Sequence, residues 1–163
     1  MRYLVQKLGF GATATLIYFS LPAAALTTES AKQTSVVYLV TQAEAQEDYD
    51  YWFRQCYELI GQEGLAACDR ALEFNDRDAI VWYNRGIILG KDLGQPEAAL
   101  ASFERSIELD PESAKAWNNL GVALSTLNRD EEAMRAYEEA LRIDPNDELA
   151  RRNLATLRER LEI

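Results

Sequence analysis

The sequence has no histidine and only two cysteines, and these gaps exclude several kinds of function. Histidine is the side chain that enzymes most often use as a general base and that metals most often bind. Two cysteines, Cys56 and Cys68, are too few for a zinc site built from thiolates. Pairs of carboxylates occur only on the surface faces of predicted helices, where nothing encloses a substrate. We therefore expect a protein that is not an enzyme, with no catalytic residue, no metal site and no cofactor.

Basic residues are also scarce relative to acidic ones. Lysine and arginine total 17 against 27 aspartates and glutamates, which gives a formal net charge of −10. Nucleic acids and anionic membrane surfaces attract clusters of lysine and arginine and repel a chain of this charge. We therefore expect no nucleic-acid partner, and contact with a membrane only through the N-terminus.

The N-terminal stretch has almost no charge. After Arg2 and Lys7 the next charged residue is Glu29, and the stretch between them is apolar and ends in small residues up to Ala25. A basic start, an apolar middle and a small-residue end are typical of a secretory signal peptide. We predict that residues 1–25 are such a peptide and that the chain is exported to a periplasm, a lumen or the cell exterior. The alternative is an uncleaved membrane anchor, since about 20 apolar residues can span a bilayer.

The next segment, residues 26–47, is mostly polar, and we expect it to be a tether. Its one apolar run, residues 36–40, has a length compatible with a short strand or with part of a leader helix. Both alternatives stay open from the sequence.

The rest of the chain contains an internal repeat. Residues 82–86 recur as residues 117–121, 35 positions later, and residues 106–111 recur as residues 140–145, 34 positions later. A period of this length indicates a stack of helical hairpins in which each repeat is one unit. Such a stack is by default a scaffold with a binding face.

The spacing of apolar and small residues explains how each repeat folds. Trp117, Leu120 and Leu124 are three and four residues apart and therefore share one face of a helix. Small residues such as Gly121 occur where two helices approach closely, and prolines follow the second helix because they cannot continue it. The repeat positions are Trp82, Gly86, Ala99, Phe103, Pro111, Trp117, Leu120, Gly121, Ala133, Tyr137, Ala140 and Pro145.

This pattern resembles the tetratricopeptide repeat family, whose signature is W-x2-L-G-x2-Y, then A-x3-F, then P over 34 residues. The resemblance covers about residues 45–163 and implies an all-α solenoid, with three helical hairpins over residues 48–145 and a capping helix over residues 146–163. The first hairpin departs from the signature, because Tyr51 or Trp52 falls where the later repeat has Gly86. We expect its helices, with the first over 48–60 and a turn at 61–64, to splay or shift in register.

The extra residue of the 35-residue unit falls between Leu89 and Ala99. We therefore expect it in the turn between two helices, where an insertion costs little.

The two cysteines flank the predicted turn of the first hairpin. Cys56 lies five residues before Gly61 and Cys68 lies four residues after Gly64. Residues at equal distance from a turn come abreast in an antiparallel hairpin, so a disulfide is within reach. Export to an oxidising compartment would keep such a bond intact. The alternative is a pair of buried thiols that act as small apolar residues.

The resemblance also implies a concave groove, lined by the first helix of each hairpin, that holds a peptide or a segment of a partner protein. The candidate residues point away from the packed face of these helices: Tyr83, Ile87, Lys91, Lys115, Asn118, Val122 and Ser125. The two lysines could bind acidic groups. Tyr49, Phe53 and Tyr57 either extend this surface or pack in the core of the first hairpin.

Some members of the family bind the C-termini of chaperones through a clamp for two carboxylates. Asn84 and Lys115 fit two clamp positions, but Tyr49, Phe53 and Asn119 replace the others, which excludes this ligand. The function that we expect is a non-catalytic, exported module that binds a protein or peptide. The alternative is a membrane-tethered assembly or stability factor for a membrane complex. Self-association stays open.

Overall fold

The computed structural model describes the backbone of residues 28–162 and the side chains of residues 41–162. The predicted signal peptide lies outside the described residues. The chain divides into two units, Met1–Leu39 and Val40–Ile163, and the side-chain packing reported below belongs to the second. None of the helices within the described residues is long and apolar enough to cross a membrane.

Seven α-helices and no strand make up residues 28–162, which confirms the predicted all-α class. In chain order they are α1 (Thr28–Glu58), α2 (Gly61–Phe74), α3 (Ala79–Ile87), α4 (Pro96–Leu109), α5 (Ala114–Thr126), α6 (Asp130–Ile143) and α7 (Glu148–Leu161). Helix α3 continues into one π-helical turn, Ile88–Asp92. Helices α1 and α2 correspond to the predicted first hairpin, α3 and α4 to the second, α5 and α6 to the third, and α7 to the predicted cap.

The first hairpin differs from the prediction at both of its boundaries. Helix α1 begins at Thr28 rather than at residue 48, so the run 36–40 belongs to a helix and not to a strand. The predicted turn at 61–64 is instead the first turn of α2. The chain reverses just before it, because Gly61 has a φ of +62°, a conformation that glycine adopts without steric cost. Gly64 then sits against the end of α1, where a Cβ atom would lie 2.5 Å from the carbonyl oxygen of Leu59.

In the second and third hairpins an aromatic ring on the second helix lies directly on a glycine of the first. A Cβ atom on Gly86 would lie 2.6 Å from Cε1 of Phe103, and one on Gly121 would lie 2.5 Å from Cε1 of Tyr137. Both rings are buried, and so are Ala99, Ala133 and Ala140 at the other small positions. The absence of a side chain at the glycines therefore lets the paired helices come close together.

The first hairpin reverses this arrangement of large and small residues. The position equivalent to Phe103 is Cys68, which is fully buried, while the partly buried Trp52 of α1 packs against the core cluster that contains it. The large side chain is thus on the first helix and the small one on the second. The side chain of Tyr51, the other residue near the glycine position, is 54% exposed.

A disulfide joins Cys56 of α1 to Cys68 of α2, with the two Cα atoms 4.5 Å apart. This is the first of the two alternatives that the sequence leaves open. Both residues are buried. Closing a chain loop of this size stabilises a fold by about 2–3 kcal/mol in the loop-entropy model.

The tryptophans of the repeats act as hydrogen-bond donors at the start of their helices. The indole of Trp82 donates to the carbonyl oxygen of Asp76 at 2.9 Å, and that of Trp117 donates to Pro111 at the same distance. In α7, Arg151 stands 34 residues after Trp117 and donates to the carbonyl of Pro145 at 2.6 Å. In each case the donor bonds the residue six positions before it, so the cap repeats the backbone contact without the aromatic ring.

The extra residue of the 35-residue unit is accommodated differently from the prediction. It widens the end of α3 into a π-helical turn, in which the N–H of Leu93 donates to the carbonyl of Ile88 at 3.1 Å. The connecting turn begins only afterwards, at Leu93, and includes Gly94 with a φ of +63°. The insertion therefore alters the helix that lines the groove rather than the loop alone.

We expect Gly121→Leu to destabilise the protein by about 1–3 kcal/mol, because the new side chain would overlap the buried ring of Tyr137. Urea unfolding followed by circular dichroism measures this change. Ala155→Leu is the matched control, since Ala155 is exposed on α7 and has room for a larger side chain. Equal stability of the two variants would contradict the packing described above.

Candidate partner-binding groove

A cavity of about 1180 Å³ lies along the first helices of the hairpins and the cap. Helices α3, α5 and α7 provide its walls, and α4 and the π-helical turn contribute to its floor. Six of the seven predicted binding residues line it: Tyr83, Ile87, Lys91, Lys115, Asn118 and Val122. The repeat pattern alone therefore places six of the residues that line this cavity, which we call the groove.

Small residues form part of the lining of the groove, together with the ring of Phe103. Gly86, Gly90, Ala99 and Ala123 all line it. A Cβ atom on Gly90 would lie 3.2 Å from the Cβ of Ala99, so the two helices are already in close contact there.

Apolar side chains on the walls of the groove are exposed to solvent. Val122 is 42% exposed and Leu149 is 54% exposed, whereas Ile87 is partly buried. Leu149 is not among the predicted residues, because the C-terminal helix is expected only to cap the stack. The 34-residue shift that relates Arg151 to Trp117 also relates Leu149 to Lys115, so the repeat register could have identified it.

Two polar side chains at the centre of the groove are held by hydrogen bonds from the next helix. The amide of Asn119 on α5 donates to the hydroxyl oxygen of Tyr83 on α3 at 3.1 Å. The amide of Asn153 on α7 donates to the side-chain oxygen of Asn118 on α5 at 2.9 Å. Among the described residues, no acceptor is found for the hydroxyl proton of Tyr83 or for the amide protons of Asn118. Both groups are thus positioned and still have donors for a bound molecule.

Burial raises the pKa of the Tyr83 hydroxyl above its usual value, and the nearby charge of Asp147 raises it further. The hydrogen bond from Asn119 acts in the opposite direction. The hydroxyl therefore keeps its proton at neutral pH and acts in the groove as a neutral donor.

The charged residues of the groove include both lysines of the array. Lys91 and Lys115 are the only lysines among residues 41–162, and neither forms an ion pair there. Seven arginines in the same range form ion pairs, among them Arg85 with Asp69 at 2.8 Å. Three carboxylates that sequence analysis did not identify also line the groove: Glu112, Asp144 and Asp147.

The seventh predicted residue, Ser125, lies outside the groove. It lines a smaller cavity of about 290 Å³ between α5 and α7, and its hydroxyl accepts a hydrogen bond from Arg160 at 3.0 Å. Val122 and Thr126 line both cavities, so the two adjoin. Ser125 therefore borders the groove only indirectly.

The aromatic residues of α1 do not extend the groove. Tyr49 donates a hydrogen bond to the carboxylate of Asp78, and its ring lies 5.8 Å from that of Phe53. Burial and the hydrogen bond to Asp78 raise the pKa of Tyr49. Both residues pack against the core of the first hairpin, while Tyr57 is 74% exposed. The core alternative is therefore correct for Tyr49 and Phe53.

The two residues that fit the chaperone clamp are not brought together. Lys115 lines the groove, but Asn84 does not. The side-chain nitrogen of Asn84 is buried without a hydrogen-bond partner among the described residues. Its repeat equivalent, Asn119, bonds a tyrosine 36 residues earlier, whereas Tyr49, which is 35 residues before Asn84, bonds Asp78 instead.

Comparison with known families and structures identifies the repeats. Residues 91–148 match the family model of the tetratricopeptide repeat. Residues 91–148 therefore contain tetratricopeptide repeat sequence. The match begins at Lys91 in the π-helical turn and spans α4, α5 and α6, which include most of the residues that line the groove. No match was found among curated proteins.

Solved tetratricopeptide structures share the fold of the array. The tetratricopeptide domain of Sgt2 from Aspergillus fumigatus is 25% identical, with a TM-score of 0.58, over 83% of this chain and 81% of that one. The first such domain of Spaghetti (RPAP3), bound to an HSP90 peptide, is 21% identical, with a TM-score of 0.61, over 74% and 93%. YrrB, described as having an unusual peptide-binding site, is 30% identical, with a TM-score of 0.52, over 55% and 45%.

We expect Asn118→Ala to destabilise the protein by about 1 kcal/mol, because it removes the hydrogen bond from Asn153 at a site that is only 7% exposed. Thermal unfolding measures the loss. Lys115→Ala, on the same helix, is the control, since its side chain is exposed and unpaired. A melting curve for Asn118→Ala that matches that of the wild type would show that the Asn118–Asn153 bond adds nothing to stability.

Proposed function

We propose that this chain is a non-catalytic interaction module that binds a segment of a partner protein in its groove. The observation that carries the proposal is the exposed apolar surface of Val122 and Leu149 in the same groove as the hydroxyl of Tyr83 and the amide of Asn118, whose protons have no acceptor among the described residues. An apolar surface with a few fixed polar groups is what a ligand site requires. The backbone of a bound segment would supply the carbonyl oxygens that these donors lack.

Relatives with this fold support the same kind of function. The Spaghetti domain was solved with an HSP90 peptide, and the second such domain of human RPAP3 was solved with an HSP70 peptide. Both peptides end in Glu-Glu-Val-Asp. In this chain three carboxylates line the groove against two lysines, and Asn84 lies elsewhere. We therefore propose a different partner from those of the relatives.

We further propose that the module works after export from the cytosol. The apolar N-terminal stretch and the buried disulfide between Cys56 and Cys68 support this, because disulfides persist in oxidising compartments. If the N-terminal stretch is not cleaved, the same module would be tethered to a membrane, where it would serve as an assembly or stability factor for a membrane complex.

Export predicts two properties of the protein isolated from its host. N-terminal sequencing should begin at Leu26, and thiol titration of the unfolded, unreduced protein should find no free thiol. A sequence that begins at Met1, with the protein resistant to carbonate extraction from membranes, would favour the tethered alternative. Two free thiols would contradict exposure to an oxidising compartment.

Val122→Gln should weaken the capture of the partner about five- to tenfold, because burial of a half-exposed valine contributes about 1–1.5 kcal/mol. The measurement is quantitative affinity capture from exported and membrane fractions, with mass spectrometry. Ile80→Gln is the matched control, since Ile80 is 55% exposed at the start of α3 and does not line the groove. If every protein that the wild type captures is captured equally well by Val122→Gln, the groove is not the binding site.

A further inference from the structure

The groove has a charge gradient along its length, and the repeat contacts define this direction. Residues on neighbouring first helices that touch one another are 35 or 36 positions apart, as the bonds from Asn153 to Asn118 and from Asn119 to Tyr83 demonstrate. The bond from Arg160 to Ser125 also spans 35 positions. Residues about 35 positions apart therefore lie at the same height along the groove.

One end of the groove is acidic. Glu112 lies two residues before α5, Asp147 directly precedes α7, and Asp144 follows the end of α6, so all three lie at the N-terminal end of the first helices. Lys115 is at the same end, as the second residue of α5. We call Glu112, Asp144 and Asp147 the acidic end, where Lys115 is the one ammonium group in the lining. Arg142 pairs with Glu112 at 3.5 Å but also with Glu139 at 2.8 Å, so it does not balance the remaining carboxylates.

The opposite end of the groove carries Lys91. This residue lies in the π-helical turn after α3, at the C-terminal end of the first helices. Arg160 is near the same height, but it is paired with Asp130. Lys91 is therefore the unpaired cation of this end of the groove, which we call the lysine end. The inserted residue that forms the π-helical turn is located on the same segment.

Helix dipoles offset only part of this gradient. The N-terminus of a helix is equivalent to about half a positive charge, and this effect falls off within one turn. At α7 the first free N–H groups already bond Asp147, whose carboxylate accepts from Leu149 and Ala150 at 2.9 and 3.0 Å. The carboxylates of the acidic end remain in excess, in a chain whose net charge is −10.

The length of the groove limits what can reach both ends. By the repeat shift of 35 positions, Glu112 lies at the same height as residue 77. Residue 77 is 14 positions before Lys91 in the chain. At 1.5 Å per residue the two ends are about 21 Å apart along the helix axis. An extended chain advances about 3.3 Å per residue, so about six residues span this distance.

We propose that the groove binds an extended segment of a partner polypeptide that is dipolar. The segment has lysine or arginine at the acidic end, apolar side chains against Val122 and Leu149, and a carboxylate about six residues away that pairs with Lys91. This inference rests on the proposed function and specifies its ligand. It excludes a strongly acidic C-terminal peptide, because the three carboxylates would repel it.

A display library of random peptides of about twelve residues, flanked on both sides so that no C-terminus is free, tests the proposal on the full chain. We expect the enriched sequences to place a basic residue about six positions from an acidic one, with apolar residues between them. Enrichment of acidic or apolar sequences that lack a basic and an acidic residue at this spacing would overturn the inference but leave the proposed function intact. No enrichment of any sequence would count against the proposed function itself.

Variants of the two ends provide the decisive comparison with the selected peptide as probe. Glu112→Gln with Asp147→Asn should weaken its binding about three- to tenfold at low salt, and asparagine can still cap α7. Glu104→Gln with Glu131→Gln removes the same charge outside the groove and should change affinity less than twofold. Equal losses in the two double variants would show that only net charge matters and would overturn the inference.

The orientation of the bound peptide can be measured separately. A nitroxide attached to the basic end of the selected peptide should broaden the amide signals of Lys115 and Leu149. A nitroxide at the acidic end should instead broaden those of Lys91 and Gly94. The reverse pattern, or equal broadening from both labels, would contradict the proposed polarity.

Discussion

The contact between a glycine on one helix and an aromatic ring on the next is the interaction on which the rest of the array depends. Phe103 lies on Gly86 and Tyr137 lies on Gly121, at distances that leave no room for even a methyl group. Core packing at this density tolerates little change in volume. The two contacts fix the separation and register of α3 with α4 and of α5 with α6. Because both hairpins use the same contact, their first helices are presented in the same way, and a continuous groove results.

The groove is thus a consequence of how the core is built. The small residues that bring helices together also line its floor, since Gly86 and Ala99 belong both to the packed interface and to the groove. A side chain at Gly86 would overlap the ring of Phe103 and disturb the hairpin whose first helix lines the groove. The first helices are then linked to one another by side-chain amides, from Asn119 to Tyr83 and from Asn153 to Asn118. These bonds explain why polar residues that face a binding surface also contribute to stability.

The repeat register predicts the parts of the structure that depend on side-chain size and spacing. It identifies the seven helices, the small residues where paired helices approach closely and six of the residues that line the groove. The start of α1 at Thr28 could not be derived, because residues 28–47 lack a clear helical pattern of apolar residues. The π-helical turn also could not be derived, since an insertion can be absorbed in a loop or in a helix at similar cost. The burial of Asn118 depends on a partner in α7, which lies beyond the repeat that defines the motif.

The first hairpin shows what happens where the glycine contact is missing. Trp52 replaces a small residue on the first helix, and the second helix compensates with Cys68 in place of a ring. Two large side chains facing each other would force the helices apart, and two small ones would leave a void. The exchange of sizes avoids both, but it removes the contact that fixes the register in the other hairpins. The disulfide between Cys56 and Cys68 supplies a covalent constraint at this same point. The link therefore lies in the hairpin that lacks the contact between a glycine and a ring.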